Sequence, residues 1–412
     1  MKLVRFIALL MVFALFTGCQ AQLNREYSSI KRHEEQFEVD QHSDALTAEN
    51  YLGLKNAILS FVETGEDYGV LRIYEYDGNV VSDLANAVYE VCHNDPLGAY
   101  MVDYMTYDYA HIVSYYEVYI YTTFRIAPEN LDAIIRCSSS AAVEAELETA
   151  LLERKYQLAL RISNYSELDP EAIMHRIFMA HPELGISEPS VFYQLYPESG
   201  IQRIMEVTIS YPVDILMMRS RQSNLAEKAD ELLSMLSVHP QDLQKVQRMY
   251  RWFVDHVTYM GEDSALFASA YNALVNEYAS SLGVSLAVQL LCDSLDIPCF
   301  IVEGSYADAP WHWNMIYLDE LWQHIDIARG MIDESRKYQA AFDSDMIAYT
   351  WDSTLYPACP APEPEESIDI EPDTPIEDPL PPAEDPAPDL IPYPDPDVES
   401  EEALPDTSTE GE

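Results

Sequence analysis

The chain has 412 residues, with 23 Lys and Arg against 71 Asp and Glu, a formal net charge of -48. A surface of that sign repels phosphate backbones and anionic headgroups, so nucleic acid is excluded as a partner, and so is electrostatic adhesion to a membrane. Six cysteines without a Cys-x-x-Cys pair and ten histidines without metal-ligand spacing give neither a zinc site nor a disulfide framework, and no motif calls for a cofactor.

At the N-terminus, Lys2 and Arg5 precede an apolar run from Phe6 to Phe16. Such a run has the length of a secretory signal and is short for a membrane span. It stops at LFTGC, where Gly18 precedes Cys19, and this resembles the lipobox of bacterial lipoproteins, with Leu15 one position further back than usual. The resemblance implies a signal peptide over 1–19, a lipid on Cys19, and an extracytoplasmic protein held to the bacterial cell membrane by that lipid. Residues 20–50 are polar without apolar period and read as a tether.

Residues 51–237 read as two tandem α+β repeats, 51–153 and 154–237. The first runs VLRIYEY, DLANAVYEVCHNDPLG, MVDYMTY, YYEVYIYTTF and IIRCSSSAAVEAELETALLE. The second runs LALRIS, PEAIMHRIFMAHPELG, VFYQLY, IMEVTISYPV and MMRSRQSNLAEKADELLSML, at an offset of roughly 85 to 90 residues. Alternation in the Tyr-rich strand places Tyr115, Glu117, Tyr119 and Tyr121 on one face and Tyr116, Val118 and Ile120 on the other, one of them core.

The stretch 238–356 carries chemistry-bearing residues. DLQKVQRMYRWFVDHVTYM has helical spacing at Leu243, Val246, Met249, Tyr250 and Phe253. SAYNALVNEYASSLGVSLAVQLLCDSLDIPCFIVEG opens a second helix near Ser281 and closes it before a strand, and WHWNMIYLDELWQHID reads as a strand, a hairpin and a strand. In order and spacing these three segments resemble the transglutaminase-like domains of the papain (cysteine-protease-like) fold. The fold class implied for the chain is α+β, the C-terminal domain following the two repeats. Beyond it, 357–412 reads as a disordered tail, with 13 prolines and 19 acidic residues between 361 and 412 and neither Lys nor Arg.

The resemblance implies a nucleophilic site: a cysteine at the start of the central helix, a histidine on a facing strand and an aspartate on the next. The cysteine slot falls on Ser281, with Gly283 at the family's glycine. Counting back from Asn314, with Trp322 eight and Asp326 twelve residues on, the histidine slot falls on Trp311. Asp326 matches its role. His312 sits one residue out of register, and alternation points it away from the face of Trp311 and Trp313 unless a bulge swings it back. Cys292, eleven residues along the helix, lies about three turns from the active end, and His324 reads as an ordinary strand residue.

Ser281, His312 and Asp326 thus form a degenerate triad in a cleft lined by Trp311, Trp313 and Gly283. The function this implies is a catalytically inactive cell-surface module that binds an envelope peptide or glycan or serves structurally. A residual serine peptidase or acyltransferase acting on wall peptides is one alternative, and a spacer or assembly subunit working through the repeats is another.

Overall fold

The structure, a computed structural model, describes residues 45–262, 264–333, 338 and 341–362; the expected signal peptide with Cys19, residues 20–44 of the expected tether and the expected tail beyond 362 lie outside the described residues, while Leu46–Ala48, inside the range expected to be tether, is a sheet strand. Three hydrophobic cores organise the folded part, each backed by a four-stranded sheet.

The first sheet contains β1 (Leu46–Ala48), β2 (Tyr68–Tyr74), β3 (Val102–Ile112) and β4 (Tyr115–Phe124), in the order β1-β2-β4-β3. β1 and β2 are parallel, joined through helix α1 (Tyr51–Thr64), and the remaining pairs are antiparallel. α1 starts where Asn50 accepts the Gly53 N–H at 2.8 Å and stops at Gly65, whose φ of 72° is left-handed. It buries Leu54, Ala57, Ile58, Phe61 and Val62, a stripe at helical spacing. α2 (Val80–His93) and the short α3 (Pro96–Met101) follow β2 and add Leu84, Val91, Leu97 and Met101 to the same core. On β4, Val118 and Ile120 are buried and Tyr121 is exposed, the division of faces that alternation predicts.

The second sheet contains β5 (Ile134–Cys137), β6 (Gln157–Ile162), β7 (Ser190–Tyr196) and β8 (Arg203–Ser210), in the order β5-β6-β8-β7. β5 and β6 are parallel across helix α4 (Ser140–Glu153), and α5 (Pro170–Ala180) precedes β7. Strand order and pairing senses are those of the first sheet, and corresponding strands begin 88 or 89 residues apart. The expected boundary at 153/154 is therefore displaced. α4 closes nothing in the first sheet; it is the crossover of the second, so the division falls between β4 and β5. Arg125, just after β4, ties the two halves together: its guanidinium lies 4.1 Å from the Tyr196 ring centroid and donates to the Tyr196 hydroxyl at 2.6 Å.

The boundary at 237/238 moves as well. Helix α6 (Ile215–Leu236) sets Met218 in the second core, but its Leu225, Ala229, Leu232 and Leu236 belong to the third, with Phe253 of α7 (Asp242–His256). Its apolar stripe faces the C-terminal domain. There, β9 (Thr258–Tyr259) pairs in parallel with β10 (Tyr278–Ala279), α8 (Ala270–Leu274) lies between them, and the central helix α9 (Ser281–Ser294) starts directly after β10. Ten of the fourteen α9 residues are buried, as a helix sheathed on nearly all sides requires.

The third sheet contains β11 (Cys299–Tyr306), β12 (Ala309–Leu318), β13 (Leu321–Ile325) and β14 (Tyr349–Trp351), antiparallel throughout, in the order β13-β12-β11-β14. Two-residue turns join β11 to β12 and β12 to β13, with positive φ at Ala307, Asp308, Asp319 and Glu320, the twist that tight hairpins prefer. α10 (Ile327–Ile332) follows β13, capped by Asp326. The core runs on to Cys359, beyond the expected limit at 356.

Candidate functional site

The start of α9 is built by its own serines. Ser280 is the N-cap and accepts the Gly283 N–H at 3.3 Å. Gly283 must be glycine because a Cβ there would stand 2.4 Å from the Phe267 carbonyl oxygen. Ser281, the first helical residue, is 0% exposed. Its N–H is one of the donors that a helix leaves unmatched at this end. That donor is taken: the Glu262 carboxylate accepts it at 2.7 Å, and the Tyr259 hydroxyl donates to the same oxygen at 3.1 Å.

On β12, Trp311 and Trp313 are buried on one side of the strand and His312 is half-buried. The Trp311 indole donates to Asp326 Oδ2 at 2.8 Å. Tyr349 donates to the same oxygen at 2.7 Å, and the Arg329 N–H donates to Oδ1 at 2.9 Å. Burial pushes the Asp326 carboxyl above its ordinary range, against these hydrogen bonds. Tyr259 and Tyr306 pack on the Trp311 ring, with centroids 5.4 and 5.9 Å away. Asp326 thus serves an indole and a helix cap.

His312 corrects the expectation drawn from alternation. Its ring does lie beside Glu303, directly opposite on β11, yet it also reaches Ser281. The Ser281 Oγ accepts the backbone N–H of His312 at 3.1 Å and lies 3.4 Å from His312 Nδ1. A hydroxyl bonded to strand backbone sits level with the strand, so either face is within its reach. β13 pairs with β12 only as far as Asn314, which leaves that edge open at His312. No bulge is involved: the β11–β12 register is continuous from Cys299 to Tyr306.

Glu303 extends the arrangement. Its Oε1 is 3.8 Å from His312 Nε2 and 2.6 Å from Nε2 of His175 on α5, whose Nδ1 is 2.9 Å from Glu188. Hydrogen bonds to Glu188 and Glu303 push the His175 imidazolium up to about 10, and the two histidines hold Glu303 well below the usual carboxylate range. Neither Glu262 nor Glu303 was visible as a site residue in the sequence. Glu262 stands 19 residues before Ser281 in a loop, and Glu303 faces His312 only by virtue of the tight turn at Ala307–Asp308.

His324, read as an ordinary strand histidine, is fully buried and organises a second node. Its Nδ1 accepts the Trp313 indole N–H at 2.9 Å, and Nε2 donates to Asp343 at 3.0 Å. Asp343 also accepts the Cys359 N–H at 2.9 Å. His324, Asp343 and Cys359 lie close enough to share a metal, but the residues do not fit one. The indole donor fixes the proton on Nε2 and leaves no lone pair there. Burial also pushes the Cys359 thiol up to about 12, away from thiolate. Cys292 is fully buried and hydrogen-bonded to Cys299, a contact that with burial raises its thiol far above the ordinary value, so it offers no replacement nucleophile.

No family model and no curated relative matches the sequence. Among solved structures, the chain is similar to a transglutaminase (TGase) at 13% identity over 47% of this chain and 58% of that one, with a TM-score of 0.24. It is also similar to a "putative cysteine protease" from Cytophaga hutchinsonii at 14% identity over 40% and 68% of the two chains, TM-score 0.23. A "putative protease" from Parabacteroides distasonis is 9% identical over 62% and 39%, TM-score 0.20. The chain spans a little over half the length of the first of these. Likenesses this loose carry no argument about activity, which rests on the contacts around Ser281.

Proposed function

We propose that this chain is a cell-surface lipoprotein whose transglutaminase-like domain is catalytically silent and acts as a binding or structural module of the envelope, its former cleft packed shut around the Trp311 indole. One observation carries this reading: the Glu262 carboxylate sits on the Ser281 N–H. Acyl transfer places a developing oxyanion where such a donor can reach it, and losing one donor of this kind costs about 100- to 1,000-fold in rate. A fixed negative charge in that place does more than remove the donor, since it repels the oxyanion. The buried Ser281 hydroxyl and the diversion of Asp326 to Trp311 support the same conclusion.

The test is to incubate the purified ectodomain with wall-peptide fragments and model esters, with Ser281→Ala as control. Turnover by the wild type equal to that of Ser281→Ala is expected. Hydrolysis or cross-linking that disappears in Ser281→Ala would overturn the proposal. The anchoring part is tested separately: Cys19→Ser should move the protein from the detergent phase to the aqueous phase, and an unchanged partition would contradict a lipid on Cys19.

A second reading is favoured by a specific geometry. Ser281 Oγ, His312 and Glu303 stand in line at 3.4 and 3.8 Å, the order of nucleophile, base and orienting carboxylate. On this reading the triad of a serine acyltransferase is rebuilt one residue along the strand, with Glu303 in place of Asp326.

A further inference from the structure

Strands β5 and β6 of the second sheet carry an arrangement that the site around Ser281 does not use. Arg136 on β5 and Arg161 on β6 are direct partners in the parallel register, so their side chains leave the same face of adjacent strands. Like charges in that relation destabilise a sheet. Elsewhere a carboxylate does match an arginine, as Glu117 matches Arg72 and Glu144 matches Arg176. Among the described residues, neither the Arg136 nor the Arg161 side chain makes an ion pair or a hydrogen bond. Both line a cavity of about 460 Å³ between the two halves of the N-terminal region, with Leu97, Leu131, Ile134, Glu63 and Asp132 also in its lining.

From this juxtaposition we infer a binding site for a compact zwitterion of the amino-acid or short-peptide class, its carboxylate seated between the Arg136 and Arg161 guanidiniums and its ammonium toward Asp132. Two guanidiniums on neighbouring strands offer the forked donors that a carboxylate accepts in pairs. An anion between them also relieves their mutual repulsion. The Asp132 carboxylate in the same lining selects against polyanions and in favour of a ligand carrying both signs. At about 460 Å³ the cavity is large enough for one or two amino-acid residues. This site stands or falls independently of whether Ser281 is reactive.

The experiment is calorimetric titration of the ectodomain with alanyl-alanine, with the same dipeptide amidated at its C-terminus, and with inorganic phosphate. The dipeptide should bind, and binding should weaken about tenfold or more on amidation and in the Arg136→Gln/Arg161→Gln double variant, as expected for loss of a charge-assisted pair. Without ligand, the double variant should melt at the same temperature as the wild type or higher, because a repulsion is removed; this separates a ligand site from a structural role. Absence of dipeptide binding, equal affinity in the double variant, or binding of phosphate alone would each overturn the inference.

Discussion

Trp311 sets the role that its neighbour Asp326 plays in this fold. A carboxylate opposite a histidine orients a base; Asp326 opposite an indole is a buried acceptor whose three donors hold α10, β12 and β14 together. Trp311→Phe removes one donor from that carboxylate, and a stability loss of about 1–3 kcal/mol is expected in chemical denaturation. Ser281→Ala leaves the His312 N–H without its acceptor in a buried place and should cost a similar amount, about 1–3 kcal/mol by the same measurement. A loss near zero in both would mean that the contacts are incidental. At this scale the sequence was half legible. Alternation put Trp311 and Trp313 on one face, where both are buried. Alternation could not show that the Ser281 hydroxyl lies level with the strand, within reach of His312. Nor could it reveal Glu303, because the register that brings it opposite His312 depends on a turn made by Ala307 and Asp308 at positive φ, without the Asn-Gly signature that marks such turns.

Among the elements, α9 depends on Gly283. Glycine inside a helix ordinarily costs about 1 kcal/mol relative to alanine, so Gly283→Ala would stabilise an isolated helix. Here the added methyl would meet the Phe267 backbone carbonyl at 2.4 Å and force the helix start away from the Glu262 loop. Overpacking of this kind destabilises by about 1–3 kcal/mol, and a lowered melting temperature is the expected outcome. A raised melting temperature would show that the loop yields freely. The strand-rich segments of both N-terminal halves were legible from their alternating patterns, and the offset between them too. The phase of that pattern was not, because β1 and β5 have only three and four residues, too few for a periodic signal. Their parallel pairing across a helix is a long-range contact with no local mark, so α4 read as the end of one half when it is the crossover of the next. α6 misled differently: its stripe is regular, but regularity does not say which core it faces.

For the whole molecule, His175 clasps the second sheet's helix layer to the third sheet through Glu188 and Glu303. The sign of its pH dependence follows from the shifts. A histidine raised to about 10 from 6.5 contributes stability that is complete below 6.5 and lost as pH rises toward 10. Glu303, lowered from 4.5, contributes stability present above 4.5 and lost as pH falls below it. The clasp is therefore strongest between these ordinary values. The melting-temperature difference between wild type and His175→Gln should shrink between pH 6 and pH 10; parallel curves would show that the clasp adds nothing. Nothing in the sequence links residues 175 and 303, which the packing of two separately patterned regions brings together. The most direct measurement on Ser281 is its reactivity toward a fluorophosphonate, read by intact mass. A sealed serine whose N–H carries the Glu262 carboxylate should leave the wild-type mass unchanged. A stoichiometric adduct on the wild type, absent from Ser281→Ala, would contradict catalytic silence and favour the line Ser281–His312–Glu303.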